Sequence, residues 1–119
     1  MKIISKSLVL HGSSYYVKHL EIINPLLPRR LTEKEIEVLA EFMFLDLEDR
    51  FSSEGRKLVM EKLGLSFASM TNYLSSLRKK GFLIKGINNT YDIVPVMLCD
   101  RDKMVYNFKI DLYEEEGKN

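Results

Sequence analysis

The chain has 119 residues, enough to bury one hydrophobic core and too few for two ordinary domains. Apolar residues make up 45% of it and charged residues 29%, which excludes the disordered class and favours a globular fold. The formal net charge of +1 does not by itself indicate a polyanionic partner. The distribution of apolar and charged residues along the chain is more informative than these totals.

The sequence also limits where the protein works. Its apolar runs are far shorter than the roughly 20 residues of a membrane span, so we expect no membrane partner. Residues 1–4 lack the hydrophobic region and cleavage site of a signal peptide, which favours a cytoplasmic location. Cys99 is the only cysteine, and a single cysteine cannot form an internal disulfide.

The first thirty residues are expected to form an N-terminal extension. Residues 2–10 are rich in Ile, Val and Leu and alternate, which predicts a strand. Residues 15–23 could be a strand or a helix; apolar side chains at i, i+4 and i+7 favour the helix. The pairs Asn24-Pro25 and Leu27-Pro28 then end that element.

A second helix is predicted to begin after Thr32, which can cap it together with Glu35 three residues later. A third helix should follow a cap at Ser52 or Ser53. The predicted core stripes of these two helices contain Ile36, Leu39, Met43, Leu47, Leu58 and Leu63.

The strongest pattern lies between residues 58 and 84. Leu63-Gly64-Leu65-Ser66 forms a corner, and a helix capped by Ser66 is expected from about Phe67 to Lys80. Its buried stripe is predicted to contain Met70, Leu74 and Leu77, and Gly81 supplies the left-handed residue that ends it. Two short helices joined in this way predict a helix-turn-helix, whose second helix can enter a DNA major groove.

A β-hairpin is predicted after that helix. Residues 82–87 and 91–98 form its strands, and Asn88-Asn89 tolerate the positive φ of the turn. Pro95 restricts its strand to a sheet edge or a bulge. Residues 104–113 alternate again and predict one more strand, and an acidic tail at 114–119 is expected to be loose.

Charge is distributed unevenly along the chain. Residues 62–91 contain five basic residues and no acidic one, whereas residues 32–61 contain nine acidic and four basic residues. Such asymmetry is expected of a surface that binds a polyanion. Arg78, Lys79 and Lys80 would also complement the dipole at a helix C-terminus, which explains their position but not the missing acids.

The order of these elements resembles the winged helix-turn-helix superfamily over residues 31–98. Residues 61–66, followed by Thr71, Leu74 and residues 77–84, are similar to the pattern of MarR-type and related regulators. Residues 24–36 are also similar to small phage proteins, which would place the chain in a host cytoplasm or a virion. The resemblance implies an α+β fold with a three-helix core and a hairpin wing, flanked by the extensions 1–30 and 99–119 with their additional strands, in one compact domain.

The same resemblance implies a double-stranded DNA partner and a set of contact residues. On the recognition helix these are Ser69, Thr71, Asn72, Ser75, Ser76, Lys79 and Lys80, and on the wing they are Lys85, Asn88 and Asn89. Asn can read adenine through two hydrogen bonds, and serine can contact a phosphate or a base edge. The chain departs from the family because the middle of its recognition helix has no Arg.

Two functions remain open at this point. The first is a DNA-binding regulator of transcription or replication. The second is a protein-interaction module, or a structural part of a larger phage nucleoprotein assembly, that keeps the fold without strong DNA binding. Homodimerisation would strengthen the first function, and the extra strands at both ends could provide its interface. Spacings for a metal, a cofactor or catalytic residues do not occur in the sequence, so no enzyme is expected.

Overall fold

The computed structural model describes residues 2–86 and 90–112. Within these ranges the chain is a small α+β protein with four α-helices and one two-stranded antiparallel sheet. The helices are α1 (Ser13–Ile23), α2 (Glu33–Phe44), α3 (Ser53–Leu63) and α4 (Phe67–Lys79). The strands are β1 (Leu83–Lys85) and β2 (Tyr91–Ile93), and short 3-10 turns span Asn24–Leu26 and Pro95–Met97.

Three of the helices begin at the predicted caps. The Thr32 hydroxyl accepts from the backbone N–H of Glu35, and the Glu35 carboxylate accepts in return from the N–H of Thr32, at 3.2 and 2.8 Å. Ser52 caps α3 by accepting from Gly55, and Ser66 caps α4 by accepting from Ser69. Each cap satisfies an N–H group that the first helical turn leaves without a backbone partner.

Glycines end α3 and α4 in the left-handed region. Gly64 has a φ of 65° and Gly81 a φ of 84°, values that a side chain would make costly. After Gly64 the N–H of Leu65 returns to the carbonyl of Met60, and after Gly81 the N–H of Phe82 returns to that of Leu77, at 2.9 and 3.0 Å. These bonds satisfy the last carbonyls and turn the chain sharply. The prediction for Gly81 is confirmed.

The core is centred on α2, in which every residue from 38 to 43 is buried. Helix α1 packs against it, and α3, α4, the hairpin and connecting segments at Leu31, Phe51 and Met97 contribute further core side chains. The Phe42 and Phe51 rings stack with centroids 4.4 Å apart. The largest fully buried side chains are Leu20, Val38, Leu39, Phe42, Met43, Val59, Met70, Leu77, Ile93 and Met97.

Parts of the predicted core stripes are wrong. Leu58 is 42% exposed, whereas its neighbour Val59 is 1% exposed and takes the core position on α3. Consecutive helical residues point about 100° apart, so with Val59 directed at the core the side chain of Leu58 is turned toward solvent. Leu63 and Leu74 are only partly buried. Leu47 lies beyond the end of α2, in the loop that follows Phe44.

The hairpin is shorter than predicted. Its register pairs Leu83 with Ile93, Ile84 with Asp92 and Lys85 with Tyr91. The return strand ends at Ile93 because Pro95 has no N–H for a ladder and starts a 3-10 turn instead. The predicted turn residues Asn88 and Asn89 lie outside the described residues.

The two terminal strands are also corrected by the structure. Residues 2–10 and 104–112 pair with no other strand in the described ranges. Alternation in a sequence reports which side chains share a face, but a strand also needs a partner for its backbone groups. The helical reading of residues 15–23 is confirmed by α1.

Hydrogen bonds to α1 hold the chain that follows β2 against the body. Buried His19 has Nε2 2.8 Å from the Met97 carbonyl, so that nitrogen carries the hydrogen. Its Nδ1 lies 2.6 Å from the Tyr106 hydroxyl and therefore accepts a hydrogen bond from it. Burial lowers the pKa of His19 from its ordinary 6.5 and raises the pKa of Tyr106 to about 12.

These contacts predict a loss of stability in mild acid. Because the pKa of His19 is lower in the folded chain than in the unfolded chain, the unfolded state binds more protons as pH falls below 6.5. His19 therefore contributes its full stability above 6.5, and this contribution declines below it. Urea melts at about pH 7.5 and 5.5 should show this decline in the wild type and in exposed His11→Gln, but a smaller one in His19→Gln. Equal pH dependence in all three would contradict the assignment.

Candidate nucleic-acid interface

One face of α4 is directed away from the core. Met70 and Leu77 lie on the buried side, where they are 1% and 0% exposed. Asn72 and Lys79 are exposed on the opposite side, and Ser75 beside them is half-buried. Within the part of the chain that the structure describes, the Asn72 side chain has no hydrogen bond, so both its donors and its acceptor are available. We define the outer face of α4 as Ala68, Asn72, Ser75 and Lys79.

Ser76 and Lys80, predicted as DNA contacts, are engaged inside the fold. The Ser76 hydroxyl donates to Glu35 Oε2 at 2.6 Å, and Lys80 Nζ lies 2.5 Å from Glu35 Oε1. Lys80 Nζ also donates to the carbonyl of Arg30 at 3.0 Å. The charge of Lys80 is therefore already neutralised by a buried carboxylate of α2.

Glu35 connects the start of α2 to the end of α4. Burial acts to raise the pKa of this carboxyl, but hydrogen bonds from Lys80, Ser76 and the Thr32 backbone oppose it, and the net pKa lies below the ordinary value. The side chain is only 3% exposed, and it carries its negative charge at neutral pH. Glu35 thus holds the last turn of α4 against the first turn of α2.

The two remaining hydroxyls predicted on α4 differ in what they can offer. Thr71 Oγ1 donates to the carbonyl of Phe67 at 2.9 Å, so its hydrogen is already used within the helix. Ser69 Oγ accepts from the Ser66 hydroxyl at 3.1 Å and keeps its own hydrogen. Ser69 can therefore donate to a phosphate without losing a bond.

Basic side chains cluster where α4 ends. Lys79 on α4 and Lys85 on β1 are exposed, as predicted for the interface. Arg29, which the sequence reasoning missed, joins them by donating from Nη1 to the Lys79 carbonyl at 3.3 Å. Its neighbour Arg30 is also exposed. The pair Arg29-Arg30 is visible in the sequence, but Arg29 lies fifty residues before Lys79 and only the tertiary contact brings it to the end of α4.

A groove opens between α3, α4 and the hairpin beside this basic cluster. It has a volume of about 120 Å³, and its lining includes Met60, Phe67, Leu74, Arg78 and Tyr91. Arg78 crosses from α4 to the hairpin, where it donates to the Tyr91 hydroxyl at 3.0 Å and lies 5.1 Å from the ring centroid. That hydrogen bond lowers the pKa of Tyr91. Phe67 is 70% exposed at the open end of the groove.

No helix within residues 2–86 and 90–112 has the length and apolar content needed to cross a membrane. The same ranges contain no cluster of three or more His, Cys, Asp or Glu side chains able to hold a metal ion. No protein-family model, curated protein or solved structure matches this chain.

Proposed function

We propose that the chain is a double-stranded DNA-binding protein of the winged helix-turn-helix kind and regulates transcription or replication. In this proposal α4 enters the major groove, and the β1–β2 hairpin acts as the wing beside it. The observation that carries the proposal is the basic cluster at the end of an outer face without acidic residues. Arg29 and Lys79 are exposed there, Lys85 is exposed on the hairpin, and residues 62–91 contain no acid.

The dimensions of α4 suit this role. Thirteen residues make a helix about 20 Å long, and the major groove is about 12 Å wide and admits one helix. The free amide of Asn72 lies near the middle of the outer face. The exposed cations Arg29 and Lys79 lie at the end of α4 that adjoins the hairpin, where a helix lying in the groove approaches the phosphate backbone.

The basic cluster predicts how affinity depends on salt. Arg29→Ala, Lys79→Ala and Lys85→Ala should each weaken binding to all duplexes and reduce the slope of log affinity against log salt by about 0.9. The matched control is Lys18→Ala on α1, whose ammonium group pairs with Glu21 at 3.4 Å. That variant should bind as the wild type does. Fluorescence anisotropy with a random duplex measures the affinity of these four variants and of the wild type. If the wild type does not bind duplex DNA at low salt, the proposal is refuted.

Asn72 carries the prediction for sequence specificity. Only a side chain with both donor and acceptor groups can make the two-bond contact to adenine, and Asn72 is the outer-face residue that has both. Asn72→Ala should lose about 1–3 kcal/mol of preference for the best site and leave binding to random DNA almost unchanged. Ser75→Ala, which removes a single half-buried hydroxyl, should cost less. Selection from a pool of random duplexes measures this preference. If the wild-type protein enriches no sequence motif from the pool, the prediction is contradicted.

The exposed ring of Phe67 favours the second candidate function, a protein-interaction module or a structural part of a larger phage nucleoprotein assembly. A large aromatic side chain that is 70% exposed beside an apolar groove is typical of a protein-binding site. Phe67→Ser should abolish such binding, whereas the salt dependence of duplex binding should not change. This second function would be established by two results together: the wild type binds no duplex DNA, and Phe67→Ser abolishes its binding to a protein partner.

A further inference from the structure

The last described segment of the chain, residues 104–112, has the alternating side chains of an amphipathic strand but pairs with no strand in the described ranges. We call it the C-terminal arm. Its even-numbered side chains are all apolar or aromatic, and Asn107, Lys109 and Asp111 alternate with them. The Lys109 ammonium lies 3.5 Å from the Asp111 carboxylate, which places these two side chains on the same face. The apolar face therefore lies opposite a charged one, as in a strand that covers a core on one side.

The arm is held to the body near its base. Tyr106 is hydrogen-bonded to His19 on α1, and the two rings lie 5.9 Å apart. Beyond Tyr106 the apolar side chains of the arm are uncovered, since Phe108, Ile110 and Leu112 are 59%, 95% and 86% exposed. The apolar face of the arm beyond Tyr106 is therefore largely open to solvent.

The overall dimensions are those of a chain with extended segments. The Cα radius of gyration is 17.5 Å and the longest extent 59 Å. A compact chain of this length would have a radius of gyration of about 13–14 Å. An extended apolar edge with free N–H and C=O groups is a template for pairing with another strand.

We propose that residues 108–112 of the C-terminal arms of two copies of this chain pair as antiparallel strands across a two-fold axis at Ile110. In that register Ile110 faces its own copy, and Phe108 faces Leu112 of the other arm. Lys109 faces Asp111 of the other arm, and the two-fold axis makes this ion pair twice. Opposite charges directly across an antiparallel pair stabilise it, and like charges destabilise it.

Neighbouring registers are less favourable. A two-fold axis at Lys109 or at Asp111 would place like charges face to face. An axis at Phe108 would leave Asp111 opposite Val105 and pair neither charge. A shift of one residue between the arms would put polar side chains on the apolar face. Residues 108–112 are therefore self-complementary about Ile110, and this is why a second copy is the partner that suits them.

The N-terminal segment can cover the apolar side of the paired arms. A two-stranded ribbon alone is marginal in water and needs a further surface against one face. Residues 2–9 lead into α1, the helix that holds Tyr106, and their exposed apolar side chains are Ile3, Ile4, Leu8 and Val9.

Disulfide trapping tests the register. In a Cys99→Ser background, Ile110→Cys places two thiols opposite each other at the two-fold axis and should give a covalent dimer on oxidation. The matched control is Val105→Cys, an exposed position on the same arm. Its two copies would lie roughly 30 Å apart in this register and should not cross-link. Equal cross-linking at both positions, or none at Ile110→Cys, would overturn the register.

Charge exchange in the otherwise native chain tests the same pairing without cysteine. Lys109→Asp and Asp111→Lys should each raise the dimer dissociation constant at least about fivefold, because each creates two pairs of like charges. Combining the two substitutions restores both ion pairs and should restore the dissociation constant. Sedimentation equilibrium measures it. A wild type that stays monomeric, or a double variant as weak as the single ones, would overturn the proposal, as would arms that bind only a different protein. The outcome is independent of duplex binding.

Discussion

Truncation of Leu77 to alanine is expected to lower the free energy of unfolding by about 2–5 kcal/mol, the range for deleting most of a buried leucine side chain. Leu77 lies on α4 and is 0% exposed. It belongs to the core that is centred on α2. Its carbonyl also accepts from Phe82, so the residue lies where the helix turns into the hairpin. Urea unfolding monitored by circular dichroism measures the change.

The matched control is Leu58→Ala on α3. Both variants remove the same atoms, but Leu58 is 42% exposed. We expect a loss below about 1 kcal/mol there, because a surface substitution creates no cavity. A loss at Leu58 as large as that at Leu77 would mean that α3 is rotated so as to bury Leu58 in place of Val59.

Features decided by neighbouring residues were predictable from the sequence. The cap at Thr32 needs only Glu35 three residues later, and the end of α4 needs only Gly81. Both depend on bonds within one helical turn, which a pattern can show. The order of the helices and the hairpin followed from the same local signals.

Features decided by distant partners were not predictable in this way. The alternation of residues 104–112 is real, but a strand forms only when another backbone edge is present. The choice between Leu58 and Val59 likewise depends on which side of α3 faces the core. A short apolar pair on a helix does not decide this.

The candidate interface shows the same division. Helical periodicity was enough to place Asn72, Ser75 and Lys79 away from the buried stripe. Ser76 and Lys80 were also expected to face outward, but a carboxylate forty-five residues before Lys80 binds them both. Arg29 was missed for the converse reason, because a contact in space brings it to α4.

Lys80→Ala is the second substitution expected to have a large effect, since it leaves the Glu35 carboxylate buried without its cation. Breaking a buried ion pair by removing one partner costs about 3–5 kcal/mol. Lys80 is 22% exposed, and Ser76 and Thr32 still donate to Glu35, so we expect the lower part of that range. The control is Lys34→Ala, whose partner Glu37 is exposed, and it should cost under about 1 kcal/mol.

The pH dependence identifies the cause of that loss. In the wild type the pKa of Glu35 is lowered on folding, so its stabilisation is present above the ordinary value of 4.5 and declines as pH falls below it. Without Lys80 the pKa of the folded carboxyl should rise, and the difference between wild type and variant should shrink once Glu35 is protonated in both. Urea melts at about pH 7 and pH 3.5 measure this change. A difference that does not depend on pH would exclude the ion pair as its source.

The same variant separates structure from DNA contact at α4. If Lys80 contacted a phosphate, Lys80→Ala would reduce the salt slope of duplex binding by about 0.9, as proposed for Lys79→Ala. Because its charge is already paired with Glu35, we expect the salt slope to stay at the wild-type value. Any loss of affinity should then arise from α4 being less well positioned, and it should be accompanied by the loss of stability. A reduced slope in a fully stable variant would show instead that Lys80 leaves Glu35 to bind DNA.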